Sequence, residues 1–278
     1  MLEWLVVRAA ITATVAVFLL AACGREAPSL AGDRALREGR YEDAARHYEQ
    51  GADRARSASE RQAMHVKAGD VLELYLEKHA EAAHEYRQAV QADPRSDAAF
   101  EARIKVGHLL EDAYGDPRKA LEEYNLAIAN HPNAPQLDEV RFRMAKAYFG
   151  MKEYDQARVE FQKLLETAPE SPRAPEAKFD IADSWFVEEK FVEAEKAYRE
   201  LLTRYAKSDF EGPARFGLAR CLEETGRLAE ALSMYEQALT SYENPEVVAL
   251  RIERLHARRV QLAPHQAGNF GLPSNVEP

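Results

Sequence analysis

The chain has 278 residues, a formal charge of −10, and 30 % charged against 46 % hydrophobic residues. That composition is globular and suits one extended or two compact domains. The acidic balance argues against a nucleic-acid backbone as partner, because counterion release needs clustered Lys and Arg. The sequence holds no glycine-rich phosphate loop and no cysteine-rich metal framework, which excludes sites of those kinds.

Residues 1–22 read as a signal peptide. Val6 to Ala22 is apolar apart from Arg8, Thr12 and Thr14, and the uncharged stretch from Ala9 is 14 residues long. A bilayer span needs roughly 20 helical residues, so this length fits a signal h-region instead. The n-region is weak, with Arg8 offset by Glu3. The stretch ends in Leu20-Ala21-Ala22-Cys23, which resembles the lipobox of bacterial lipoproteins. The small residues suit the peptidase and the thiol suits a thioether. An ordinary signal peptide with a chance cysteine is the alternative. The resemblance implies that Cys23 carries the lipid, palmitate included, and anchors the protein in a membrane. Gly24 stands where an Asp would favour inner-membrane retention, so the resemblance implies the periplasmic face of the outer membrane. With Cys23 acylated, Cys221 is the other cysteine of two, and no intramolecular disulfide can form. Beside Leu222 and Ala219, Cys221 reads as a buried structural thiol. Residues 23–30 form a lipidated tether of at most about 25 Å, which keeps the folded part near the membrane.

From residue 31 to 244 a pattern repeats six times. A small residue is followed four positions later by an aromatic: Ala44 and Tyr48, Ala82 and Tyr86, Ala120 and Tyr124, Ala157 and Phe161, Ala194 and Tyr198, Ala231 and Tyr235. Successive copies are 38, 38, 37, 37 and 37 residues apart. Three positions after each aromatic come Gly51, Ala89, Ala127, Leu164, Leu201 and Ala238. Positions i, i+4 and i+7 share one helix face, so this is the second helix of each copy. Pro94, Pro132 and Pro169 end it in three copies. The first helix of copies four to six carries Ala145, Ala182 and Ala219, each 12 residues before the second-helix alanine. Gly69 and Gly107 are the matching residues in copies two and three, 13 before. Those two copies therefore have a turn one residue longer. The first copy has a poor first helix, with few large apolar residues before Leu36. Gly39 and Gly226 sit in turns, as expected after a helix C-terminus.

This pattern resembles the tetratricopeptide repeat, over roughly Gly32 to Glu243. The resemblance implies an all-α fold: a right-handed superhelical solenoid of about six helix-turn-helix repeats. The period of 37 exceeds the usual length of that repeat, and linkers such as Pro169 to Pro175 absorb the excess. Residues 245–262 follow, with Val247, Val248, Leu250, Ile252, Leu255 and Val260 on an apolar face and Arg251, Arg254, Arg258 and Arg259 beside it. A solenoid exposes the apolar side of its last repeat unless something covers it, so this is a C-terminal capping helix. The Arg run is a solvated face, or else meets anionic lipid or a partner. Residues 263–278 read as a disordered tail.

Nothing in the sequence points to an enzyme, a cofactor or a metal site. The eight His are scattered, and His79 and His84 lie five apart, off the i, i+4 spacing of a two-ligand helix face. Paired carboxylates such as Glu122-Glu123 read as solvated helix faces. What stands out is an aromatic series on the first helices. Phe142, Phe179 and Phe216 recur three residues before the small residue, and Phe149 and Phe186 recur four after it. By resemblance to tetratricopeptide proteins these positions face the concave groove, with Lys146, Asp183 and Arg220 nearby. Aromatics in such a groove suit peptide binding. The alternative is that these Phe are inter-repeat core.

The implied function is a lipid-anchored periplasmic scaffold that binds a protein or peptide in its concave groove; a small-molecule substrate is not implied. The long period and Ser-Pro-x-Ala-type linkers resemble outer-membrane β-barrel assembly lipoproteins, and they are similar to repeat proteins that coordinate cell-wall synthesis with division. Pilotin-like lipoproteins of type IV pili are an alternative resemblance. An enzyme that uses its repeats for targeting is a remote one.

Overall fold

The computed structural model describes residues 27–266, with side chains to residue 258. The signal peptide, residues 23–26 including Cys23, and the tail from residue 267 lie outside the described residues; Pro28 to Leu30, expected as tether, instead form the first turn of a helix that Pro28 opens. Every regular element among the described residues is a helix. They run α1 (Pro28–Arg37), α2 (Tyr41–Arg54), α3 (Ala58–Leu74), α4 (His79–Ala92), α5 (Asp97–Asp112), α6 (Pro117–Asn130), α7 (Leu137–Gly150), α8 (Tyr154–Thr167), α9 (Ala174–Val187), α10 (Phe191–Arg204), α11 (Glu211–Glu224), α12 (Leu228–Ala238) and α13 (Pro245–Gln266). Among the described residues no helix is long and apolar enough to cross a membrane.

The helices pair into six hairpins, and the repeating residues explain why. Each second-helix alanine and aromatic is at most 1 % exposed, from Ala44 and Tyr48 to Ala231 and Tyr235. The small residue lets two helix backbones approach, and the ring fills the space beside it. The close approach is visible at Gly32, Gly69 and Gly107. A Cβ added there would lie 2.5, 2.6 and 2.3 Å from the rings of Tyr48, Tyr86 and Tyr124. The first copy, poor in apolar residues, nevertheless forms α1. Pro28 opens it, and Ala31, Gly32 and Ala35 bury against α2.

Each hairpin turn contains one residue in the left-handed region: Gly39, Glu77, Gly115, Lys152, Glu189 and Gly226. In every case the next N–H reaches back to a first-helix carbonyl, from Arg40 to Ala35 at 2.9 Å through Arg227 to Leu222 at 2.8 Å. This bond satisfies an orphan carbonyl at the helix end. The turns between α3 and α4 and between α5 and α6 are one residue longer than the others, as the 13-residue spacings require. Side-chain caps start α3, α5 and α6, where Ser57, Ser96 and Asp116 accept N–H bonds from Glu60, Ala99 and Lys119.

The chain divides into two compact units, residues 1–134 and 135–278. Where the sequence pattern is one run of six copies, the structure has three hairpins in each unit. The division falls in the segment between α6 and α7, which carries Pro132 and Pro135. In the first unit α1–α6 pack in succession; in the second α7–α12 do, and α13 packs on α12. On α13, Val248 and Leu255 are fully buried, covering the last hairpin. The helix continues to Gln266, four residues past its sequence-based end.

Candidate interaction surfaces

The recurring second-helix tyrosine needs a partner for its hydroxyl once the ring is buried. The first helix of the same hairpin supplies it. Tyr48 donates to Asp33 at 2.6 Å, and Tyr86 to Asp70 and Glu73, both at 2.7 Å. Tyr124 donates to Glu111 at 2.5 Å, Tyr198 to Asp183 at 3.4 Å and Tyr235 to Glu223 at 2.9 Å. A cation from the following helix then balances the acid. Lys67 reaches Asp33 at 2.7 Å while lying 5.2 Å over the Tyr48 ring. Lys105 does the same with Asp70 and Tyr86. Arg251 of α13 lies 3.6 Å from Glu223. Hydrogen bonding by the Lys67 ammonium and Tyr48 holds the Asp33 carboxyl below its usual range.

The candidate groove residues separate into two sets. Phe142 is buried and belongs to the core: its ring meets Phe161 at 5.8 Å and lies under Arg173 at 4.9 Å. Phe179 and Phe216 occupy the same register and are half-buried. Phe179 packs on Tyr198 and Phe210 at 5.8 and 5.5 Å. Phe216 packs on Tyr235 at 5.4 Å and stacks on Tyr242 at 4.6 Å. These three rings join a first helix to its own second helix and to the linker that follows. Phe149 and Phe186 instead sit at the hairpin turns, each edge-on to the first residue of the next helix, Tyr154 and Phe191.

The charged candidates also differ from one another. Lys146 on α7 pairs with Asp180 on α9 at 2.9 Å, with Glu176 at 3.5 Å. Asp180 is nearly enclosed, and burial pushes its carboxyl up to about 6 despite Lys146. The Lys146 ammonium is desolvated by burial, but Asp180 outweighs that and raises it. Asp183 is raised by burial, against the pull of Arg220. Arg220 on α11 lays its guanidinium 3.9 Å over the Phe186 ring.

Three of the candidates, Asp183, Phe186 and Arg220, line one open cleft of ≈ 550 Å³ with Val187, Glu189, Phe191 and Glu224. It lies where α9 and α11, first helices of consecutive hairpins, come into direct contact. Val187 is 49 % exposed there. Phe142, Lys146, Phe149, Phe179 and Phe216 do not line it. Val187, Glu189, Phe191 and Glu224 were not singled out from sequence. Their signal was available, since Glu189 and Phe191 flank the turn that Phe186 begins.

A larger cavity, ≈ 1030 Å³, lies between second helices α8 and α10, a layer the sequence pattern marks only as packing. Cys221 is free and fully buried, and burial pushes its thiol up to about 12. Among the described residues no three His, Cys, Asp or Glu side chains are placed to hold a metal ion.

Residues 29–96 and 142–209 match one tetratricopeptide-repeat model and residues 177–244 match another, together covering more than half of the chain. No curated protein matches it in sequence. Among solved structures the fold is similar to that of MamA, with 18 % identity and TM-score 0.54 over 66 % of this chain and 92 % of that one. A tetratricopeptide repeat protein from Parabacteroides merdae is similar at 19 % identity and TM-score 0.53, covering 87 % and 91 %. PilW, a type IV pilus biogenesis factor, is similar at 15 % identity and TM-score 0.52, covering 80 % and 96 %.

Proposed function

The chain belongs to the tetratricopeptide-repeat family, and on that premise we propose that it is a scaffold for protein–protein contacts, lipid-anchored in a bacterial envelope. A peptide or partner segment sits in the Asp183–Phe186–Arg220 cleft. One observation carries this reading: the recurring Phe186 and the charged candidates Asp183 and Arg220 meet in an open cleft with an exposed apolar wall. An aromatic face beside both signs of charge gives contact area and orientation to a bound segment. The protein acts by binding, not by catalysis.

The Leu20-Ala21-Ala22-Cys23 stretch supports the anchor, and Gly24 supports the outer membrane's periplasmic face. The process served is envelope assembly of the β-barrel-assembly kind, in which the cleft holds a client segment or partner subunit. A second reading, a pilus-type lipoprotein serving secretin subunits, draws on the likeness to PilW. A photo-reactive side chain at Phe186 in cells separates the two. Capture of barrel-assembly subunits or nascent porins supports the first, and capture of a secretin supports the second. Capture of neither removes both. Cys23→Ala should move the protein to the soluble fraction; retention in the membrane would remove the anchor.

A further inference from the structure

The cavity between α8 and α10 is larger than the Asp183 cleft and lies in the second-helix layer, apart from it. Its apolar part is Leu165, Pro169, Val192 and Tyr205. Val192 is 70 % exposed, although neighbouring Ala194 and Phe191 turn inward. An aliphatic side chain this exposed, on the wall of a trough, is free to meet another surface.

The charges of the trough are unequal once their own pairs are removed. Glu195 is held by Arg227 and Arg199, each at 2.8 Å, and Glu200 is held by Lys178. Among the described residues Glu166 accepts from the neutral Gln162, at 3.0 Å, and makes no ion pair. Lys196 and Arg204 also line the trough. Both are exposed and neither makes an ion pair among the described residues, although Arg204 lies 5.5 Å over the ring of Tyr205. Eight residues apart on α10, they stand about 12 Å apart along the helix axis. That is close to the separation of side chains four residues apart in an extended segment.

We infer that the trough between α8 and α10 is a second docking surface, for an acidic segment of a partner protein. An aliphatic side chain of that segment rests on Val192, one turn before Lys196, and carboxylates two and six residues further along the segment meet Lys196 and Arg204. The charge complementarity fixes the sign of the partner, and the spacing fixes its register. With one segment in the first-helix cleft and another here, the second unit holds two partners without competition between them.

The test uses the full chain and a fluorescein-labelled peptide, Leu-Ser-Asp-Leu-Val-Leu-Asp with blocked ends, whose first Leu reaches Val192. The same peptide with both Asp replaced by Asn, and with both replaced by Lys, are the controls. Fluorescence anisotropy should show saturable binding of the Asp peptide alone, weakening as salt is raised. Lys196→Glu combined with Arg204→Glu should weaken it by ~10-fold or more, and Val192→Asp likewise. Arg220→Ala and Phe186→Ala, in the other cleft, should leave it unchanged. All these positions are exposed or half-buried, and a circular-dichroism melt confirms that each variant folds. No saturable binding, equal binding of the Asn peptide, or binding that survives the α10 changes would overturn the inference. Loss of binding in the Arg220 variant would place the peptide in the other cleft and overturn it too, while leaving the proposed function standing.

Discussion

Gly107→Ala should destabilise the first unit although alanine is the better helix former. Gly107 lies inside α5, so the exchange gains about 1 kcal/mol in helix propensity. Against this, the new Cβ would lie 2.3 Å from Cε1 of Tyr124, 2.8 Å from Cζ and 2.9 Å from Cδ1. Ordinary contact begins near 3.4 Å, so the ring would have to withdraw by about 1 Å. Tyr124 has nowhere to go. It is fully buried, its hydroxyl is 2.5 Å from Glu111 and its edge faces His108 at 6.1 Å. Overpacking of this kind costs about 1–3 kcal/mol, and a disturbed hydroxyl bond adds about 1 kcal/mol. The net loss is about 1–3 kcal/mol. Gly150→Ala is the control: it ends α7 with no atom within 4 Å of the new Cβ, and should gain up to about 1 kcal/mol. Urea unfolding followed by far-UV circular dichroism measures both, with the two units allowed separate transitions. A Gly107→Ala protein as stable as the parent would refute the close-approach argument. Gly32→Ala and Gly69→Ala should share its sign.

Arg158 is buried on α8 with its guanidinium 3.5 Å over Trp185, 3.0 Å from Ser184 and 2.7 Å from Glu188. Arg158→Ala should lower unfolding stability by about 3 kcal/mol and shift Trp185 fluorescence, and Arg158→Lys should recover only part because an ammonium cannot stack or fork. Phe142→Ala should cost about 3–5 kcal/mol, while Phe149→Ala, half-buried at a turn, should cost about 1–2 kcal/mol by area lost; the reverse order in urea unfolding would contradict the core assignment. Asp180 has its carboxyl raised to about 6 from 3.8, so between those values the folded state binds the extra proton and stability falls as pH rises. Unfolding of Asp180→Asn relative to the parent should therefore shift in the variant's favour from pH 4 to 6 and level off above 7; a flat difference would show that Lys146 fully offsets the burial. Lys152 holds φ 62° in its hairpin turn, so Lys152→Gly should gain up to about 1 kcal/mol, and Gly226→Ala, at φ 77°, should lose about as much.

The hairpins were legible because packing repeats in sequence. A buried alanine and a buried ring four residues apart leave the same trace in every copy, and the extra turn residue after α3 and α5 shows as a 13-residue spacing. The division at Ala134 and Pro135 was not legible. Pro132 marks the end of a copy just as Pro94 and Pro169 do, so periodicity alone does not distinguish that linker from the others. The aromatic series was only half legible. Phe142 and Phe149 lie seven residues apart, on nearly the same helical face, yet one is core and the other is a turn contact. The difference comes from Arg173 and from Tyr154, which approach from other elements. The trough between α8 and α10 left no signal, because Val192 and Lys196 break no repeat pattern.

The alternating charges on the first helices acquire a physical reason once the tyrosines are placed. Where the second helix carries Tyr, the first helix carries an acid to accept its proton: Asp33, Asp70, Glu111, Asp183 or Glu223. In the fourth hairpin the ring is Phe161, which has no hydroxyl, and Lys146 stands one residue after the small Ala145, where Asp33, Asp70 and Asp183 stand in theirs. Freed from a tyrosine, that register pairs forward instead, to Asp180. Lys146 and Asp183, candidates because they lie near the Phe series, are thus explained in part by the fold: Asp183 accepts the Tyr198 proton and Lys146 pairs with Asp180. Arg220 belongs to the same system, since it draws on Asp183, the acceptor of the Tyr198 proton. Its guanidinium nevertheless rests on the Phe186 ring and lines an open cleft. Of the candidate groove residues, Phe186 and Arg220 are therefore the pair whose mutual contact also lines an open cleft, within reach of a partner.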